Sequence, residues 1–375
     1  MNNHLDALSS LANTGSVSEK LRILHDALKG QHPYITRVAV ALHDASTDTV
    51  RTFACSSNTE SPLKVYEAKL SECFSLDQLA QSKATRVVNN LGEFGDSKQK
   101  HTQELIKAGF RSSYTVPMIW DDHFFGFIFF NSTLPEIFTE RLLSDLDVIA
   151  HMITLLVYNE RSRVRTLLAT IKSALDITHS RDPETGSHIQ RMSRYARLIA
   201  QELSSEYQLD DQFVEHVYLF SPLHDIGKIK SPDRILLKEG KLTDEEFSIM
   251  KTHSQEGELL IEKLIENYGL GGVSHIEMLK NIVLHHHEAM DGSGYPLQLQ
   301  GEQIPLESRI VAVADIFDAL TSSRPYKTAW SNDAAFMQLD KLSHSKLDPA
   351  CVTALKNQRG AIEQIQANFL ENPFG

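Results

Sequence analysis

The chain has 375 residues, 41% of them hydrophobic and 23% charged, with a formal net charge of −12. That length and composition suit a soluble globular protein of two domains, with room for a third, each large enough to bury its own core. The acidic balance argues against a nucleic-acid polymer as partner, because such a partner needs a basic face. A small anionic substrate stays open, since a bound metal can supply local positive charge.

Cys55, Cys73 and Cys351 are odd in number and form no CxxC pair, so the expectation is free, buried thiols in a reducing compartment. The N-terminal MNNHLDALSS lacks a basic segment followed by an apolar one. The longest uncharged apolar run, near Phe124–Phe130, is too short to cross a bilayer. The expected setting is therefore cytoplasmic, without membrane insertion.

In chain order, Leu5, Leu8, Leu11, Leu21, Leu24 and Leu28 recur at helical spacing over 4–29, and Gly30 ends the pattern. Residues 35–43 and 49–54 alternate in the manner of strands around a polar turn at Asp44–Asp48. A helix-and-loop region is expected to about residue 108. Arg111–Trp120 and His123–Asn131 then flank Asp121–Asp122, which reads as a hairpin with a buried aromatic strand. An antiparallel sheet with helices on its faces is an α+β arrangement.

From Glu140 to Thr178 there is neither Gly nor Pro. Leu146, Ala150, Ile153, Val157, Glu160, Val164, Leu167, Ile171, Ala174 and Thr178 follow a four–three spacing, the mark of a heptad seam. The expectation is a long helix that links two domains and pairs with a second copy of the chain. From 183 to 366 the pattern is helical throughout. The predicted architecture is an α+β domain over 1–139, a linking helix over 140–178 and an all-α bundle over 179–375.

The 17 histidines crowd into the second half beside acidic residues. Glu184 and His188 lie four apart. His224 and Asp225 are adjacent. His253 sits in MKTHSQEG, and His285, His286, His287 and Glu288 form one run. Asp315 follows the apolar Ile310–Ala314, and a buried carboxylate is costly unless a cation neutralises it. The donor set is nitrogen and oxygen without thiolate, which suits Fe, Mn, Co or Zn in a reactive site. An adjacent His–Asp pair lets the carboxylate bridge two metals, and two metals can hold both oxygens of a phosphodiester. Lys228 falls one turn after His224 and Arg191 one turn after His188, each placed to meet a phosphate. Asp318, one turn after Asp315, is a candidate proton-relay or ligand-orienting group.

Two resemblances follow from these strings. AGFRSSYTVPMIWDDHFFGFIFFNS and the long helix after it look like the end of a GAF sensory domain. That likeness covers residues 1–155, lacks the Asn-Lys-Phe-Asp-Glu signature of cyclic-nucleotide binders, and leaves the ligand of this domain unknown. LHDIGKI, PDRIL, KLTDEEFSIMKTHSQEG, HHEAMDGSGYP and RIVAVADIFDALTSSRPYK resemble, in order, the HD-GYP phosphohydrolases over residues 165–355.

The HD-GYP likeness implies eight metal ligands: Glu184, His188, His224, Asp225, His253, His286, His287 and Asp315. Two or three divalent metals are implied, iron first and manganese second. Catalytic roles fall on Asp225, Lys228 and Asp318. Substrate contacts fall on Arg191, Lys228, Tyr295 of the Gly294–Tyr295–Pro296 motif, Arg324 and Lys327. His285 is an extra histidine beside the pair. Lys230, Glu239 and Leu347 depart from residues common in the family, and none is a ligand. The implied reaction is hydrolysis of cyclic di-GMP to pGpG, with the final product, pGpG or GMP, left open. Hydrolysis of cyclic GMP–AMP, or a cyclic-dinucleotide sensor or interaction protein, are the alternatives. The GAF likeness and the seam helix suggest control of the site by the N-terminal domain, and the heptad seam suggests homodimerisation through the linking helix.

Overall fold

The N-terminal helix α1 (Val17–Gln31) starts where Ser16 and Glu19 cap it reciprocally: the Glu19 amide donates to Ser16 Oγ (3.2 Å) and the Ser16 amide to Glu19 Oε2 (3.0 Å). The computed structural model to which it belongs describes residues 15–59, 61–94, 99–178, 186–268, 275–322, 328–343 and 345–370, with Leu8 and Leu11. Two compact units emerge, Met1–Val164 with Asp210–Gln212, and Arg165–Leu209 with Phe213–Gly375.

In the first unit, β1 (Arg37–Asp44) pairs antiparallel with β2 (Thr49–Ser57). Two three-residue strands, β3 (Glu67–Lys69) and β4 (Arg86–Val88), form the edges. The hairpin β5 (Ser112–Trp120) and β6 (His123–Ser132) completes the sheet in the order β3-β2-β1-β6-β5-β4. The α+β arrangement is the expected one. The edge strands went unforeseen because three residues are too few to show alternation.

One sheet face carries α1 and the long helix that begins at Glu140. Val17, Leu21, Leu24 and Leu28 of α1 share a core with Val38, Val40, Tyr114, Ile128 and Phe130 of the strands. The other face packs Ala41, Val50 and Phe127 against Leu76 and Leu79 of α2 (Phe74–Ser82). A further short helix, α3 (Lys100–Lys107), packs Leu105 with Phe110.

Helix α4 (Glu140–Thr178) has the predicted length. Its seam corrects an expectation. Leu146, Ala150, Ile153 and Val157 belong to the same core as α1 and the sheet, and Glu160 and Val164 are buried as well. The heptad-like stripe over Leu146–Val157 therefore packs into the core of the chain's own N-terminal unit. A three–four repeat records one apolar face, and any apolar surface of the right shape can cover it. The side chains of Leu167, Ile171, Ala174 and Thr178 lie outside the described residues. The stretch Glu140–Thr166 is also long and apolar enough to cross a membrane by length and composition, contrary to the sequence reading, and 33% of its most apolar window is buried inside the protein.

The second unit is helical: α5 (Gly186–Leu203), α6 (Asp211–Phe220), α7 (Asp233–Leu236), α8 (Asp244–Met250), α9 (His253–Tyr268), α10 (Ile276–His285), α11 (Leu306–Thr321), α12 (Asn332–Leu342), α13 (Pro349–Asn357) and α14 (Arg359–Asn368). Its core joins Met192, Tyr195 and Ile199 of α5, Leu279 and Ile282 of α10, and Ile310, Val313 and Phe317 of α11. Tyr195 meets Phe317 edge to face at 5.2 Å.

Ile153→Ala should cost about 2–5 kcal/mol by leaving a cavity under the sheet. Chemical denaturation reads that loss, and sedimentation should show an unchanged oligomeric state. A second test uses Asp44. Burial alone would raise its pKa, but Ser46 and Arg51 (Nη1 to Oδ2, 3.3 Å) hold it at about 2, below its ordinary 3.8. A depressed folded pKa gives stability that is present above 3.8 and lost as pH falls toward 2. That contribution is about 1 kcal/mol after solvent screening. Asp44→Asn should flatten the stability profile in this window.

Candidate metal centre

His224 and Asp225 sit between two 3-10 turns, Ser221–Leu223 and Ile226–Lys230. The second turn lies against α9 at a backbone approach that only glycine permits. A Cβ on Gly227 would stand 1.8 Å from the His253 carbonyl oxygen and 2.5 Å from the Gly257 amide nitrogen. This contact brings the His–Asp pair beside the first residue of α9. His286 caps the C-terminal end of α10, with His287 next, and Asp315 projects from the middle of α11.

Two groups of donor atoms result, each within 4.8 Å: Asp225, His253, His286 and His287, and His188, His224 and Asp315. Asp225 joins them. Its Oδ1 lies 3.1 Å from His253 Nε2 and 3.6 Å from His286 Nε2, and its Oδ2 lies 3.1 Å from His224 Nε2. Lys228 Nζ is 2.7 Å from the same Oδ2. His188 Nε2 stands 3.7 Å from Asp315 Oδ1.

The tautomers are determined by backbone oxygens, which can only accept. His224 Nδ1–H donates to the Ser221 carbonyl (2.9 Å), His253 Nδ1–H to Met250 (2.8 Å), and His286 Nδ1–H to Ile282 (3.0 Å). Each Nε2 is left with its lone pair pointing into the cluster, which is the form that binds metal. His188 is oriented differently: its Nδ1 pairs with Asp318 Oδ2 at 2.8 Å.

Burial disfavours protonated imidazole, lowering the pKa of His286 and driving that of His287 well below its ordinary value, with help from neighbouring His286. Burial would raise Asp225, but the charge of Lys228 beside it holds it well below the usual range. Neutral imidazoles and an ionised carboxylate are the states a divalent cation requires. The all-nitrogen-and-oxygen set fits iron, manganese or zinc on chemical grounds.

Seven of the eight expected ligands thus converge. Glu184, Arg324 and Lys327 lie outside the described residues. His285 joins neither group. Arg191 is buried and faces inward: Nε donates to Asp318 Oδ1 (2.7 Å), Nη2 to Ser322 Oγ (2.6 Å) and Nη1 to the Phe369 carbonyl (2.8 Å). All three of its guanidinium nitrogens are engaged by protein groups. Asp318 is fully buried between His188 and Arg191, the placement of the ligand-orienting alternative. Burial would raise its pKa, but those two partners hold it down.

Tyr295 does face the cleft beside the cluster, its ring 4.7 Å from that of His287. Burial first, then the charge of Asp225, pushes its hydroxyl pKa up, so it stays neutral. Glu288 was overlooked as a site organiser. Its carboxylate accepts from the Leu297 (2.6 Å) and Leu299 (3.0 Å) amides and so pins the loop that carries Tyr295. Its place directly after the histidine run was the available signal.

Gly227→Ala should force the turn away from α9. The expected result is loss of most bound divalent metal, read by elemental analysis after loading, and a lower melting temperature from a strain of about 1–3 kcal/mol.

Residues 172–351 match the protein family described as HD domain. The response regulator RpfG of Xanthomonas campestris, a cyclic di-GMP phosphodiesterase, is 44% identical over 207 residues, 55% of this chain and 51% of its own. A cyclic di-GMP phosphodiesterase of Vibrio cholerae is 43% identical over 215 residues, 56% of this chain and 43% of its own. A 3'3'-cGAMP-specific phosphodiesterase of the same species is 34% identical over 195 residues, 52% and 35% respectively. The chain spans about half the length of these curated relatives. Among solved structures, the GAF domain/HD domain protein from Geobacter sulfurreducens aligns with 40% of this chain and 97% of its own, at 14% identity and a TM-score of 0.33. The match to the HD domain family covers the stretch that holds the two His/Asp groups joined at His224–Asp225.

Proposed function

We propose that this protein is a metal-dependent cyclic dinucleotide phosphodiesterase of the HD-GYP type, opening cyclic di-GMP to linear pGpG and onward to GMP. The observation that carries this reading is the pair of donor groups that meet at His224–Asp225, with Lys228 Nζ on the Asp225 carboxylate. The names of the relatives support the substrate class.

His188, His224, Asp225, His253, His286, His287 and Asp315, with Glu184, would hold two or three divalent ions, iron first and manganese second. When bound, such ions polarise the phosphate and make water acidic near neutral pH. The chain supplies the rest. The backbone-anchored imidazoles present fixed Nε2 atoms. Asp225 joins the two groups at one carboxylate. Lys228 Nζ is placed to neutralise the phosphate and to give a proton to the departing 3′ oxygen. Asp318 and Arg191 keep His188 from turning.

A regulatory role for the N-terminal unit is part of this proposal. Helix α4 starts in that unit's core and continues unbroken to Thr178. Homodimerisation rests on the sequence pattern beyond Val164. Three free cysteines and an apolar helix stripe covered by its own sheet support a cytoplasmic setting.

Protein purified without oxygen and loaded with Fe²⁺ or Mn²⁺ should convert cyclic di-GMP to pGpG, followed by chromatography. Asp225→Ala should abolish turnover, and Lys228→Ala should lower it about 10²-fold or more. Absence of turnover by fully loaded protein would overturn the reading for this substrate. Turnover of cyclic GMP–AMP alone would reassign the substrate, and binding without cleavage would indicate a sensor.

A further inference from the structure

The sheet of the N-terminal unit closes a cavity of about 50 Å³ against α2 and α3. Ala39, Val50 and Phe129 of the strands and Leu76 and Leu105 of the helices give it apolar walls. Arg37 lines it as well, and its presence needs an explanation. It is 1% exposed, and no carboxylate pairs with it among the described residues. Nη1 donates to Asn131 Oδ1 at 2.6 Å and Nε to Ser61 Oγ at 3.4 Å, both neutral acceptors. Nη2 donates to no protein group among the described residues. Arg51, which lines the same cavity, does have an acid beside it, Asp44 at 3.3 Å. A buried charge without a counter-charge is strongly destabilising. An amine or an imidazole escapes that cost by giving up its proton, and a guanidinium does not.

The neighbouring groups carry the same sign. Across the sheet, Ala39 pairs with Phe129, Phe129 with Thr115 and Thr115 with Arg86, so Arg86 shares the face that holds the cavity. Its buried Nε has no partner, and no carboxylate stands against it among the described residues. His101 also lines the cavity, and its buried Nδ1 has no partner either. Burial, then the charge of Arg86, holds the His101 pKa at about 4, below its ordinary 6.5. The ring is therefore neutral and can donate one N–H.

We propose that this cavity is a binding site for a small monocarboxylate, with its anion held by Arg37 and its short apolar body against Ala39, Leu76 and Phe129. A planar carboxylate matches the guanidinium fork. A phosphate brings more charge and more oxygens than such apolar walls can satisfy. The volume takes roughly three to five water-sized groups of about 10–15 Å³, which is the size of acetate or propionate. The site lies wholly in the N-terminal unit and stands apart from the phosphodiesterase reading.

The test varies charge and size separately. Full-length protein at constant ionic strength, in a buffer free of carboxylates, is titrated by calorimetry with acetate, propionate, hexanoate, propionamide and inorganic phosphate. Acetate and propionate should bind saturably. Hexanoate and phosphate should bind about ten-fold more weakly or worse. Propionamide, which has nearly the same shape without the charge, should not bind. Arg37→Met should weaken propionate by about ten- to hundred-fold. Ala39→Val adds two methyl groups to the cavity wall and leaves Arg37 in place. It should weaken propionate about ten-fold with an unchanged circular dichroism spectrum, and it decides the matter if Arg37→Met does not fold. No saturable binding of acetate or propionate overturns the proposal. So does equal affinity for propionamide, tighter binding of phosphate, or wild-type propionate affinity in folded Arg37→Met or in Ala39→Val. No cyclic dinucleotide enters the assay, so failure here leaves the phosphodiesterase reading untouched.

Discussion

The contact between Gly227 and α9 is the constraint on which the site depends. Two backbones approach there more closely than any Cβ would allow, with Gly257 on the facing side. The approach places Asp225 against His253 and His286, which come from elements far apart in the chain. Without it the two donor groups would not share a carboxylate. The histidines need not search for an orientation, because helix-end carbonyls already hold three of them by Nδ1. A cluster of buried imidazoles around an acid is poor packing in itself. It becomes sensible where cations bind, and the low pKa values of His286 and His287 follow from the same burial.

Behind this cluster lies a second polar assembly with a different task. Asp318, Arg191 and Ser322 bond to one another, and the Phe369 carbonyl closes the set. All three side chains are buried, so each must be paired. Toward the cluster, Asp318 holds His188 by its Nδ1. A residue read from sequence as a phosphate clamp is thus part of the scaffold. Helical spacing put Arg191 on the same face as His188, and that was correct. Spacing says nothing of whether the side chain turns outward to solvent or inward to a carboxylate on another helix.

The N-terminal unit teaches the same lesson with apolar groups. The stripe from Leu146 to Val164 has the periodicity of a coiled-coil seam, and the chain's own sheet covers its central residues. The face was legible and its partner was not. The short edge strands at 67–69 and 86–88 escaped notice because pairing with long neighbours defines them more than composition does.

By itself, the sequence determined the order of the longer elements, the helical character of the second unit and a set of candidate donor residues, seven of which come together. These are local properties: periodicity, capping chemistry and side-chain type are written residue by residue. Only the tertiary structure decided which donors meet, that Asp225 joins two groups, that Arg191 and Asp318 face inward, and that the α4 stripe is already covered. Each is a contact between segments distant in sequence, decided by shape and close approach. A single helix-to-turn contact without side chains, at Gly227, has effects that no local pattern carries.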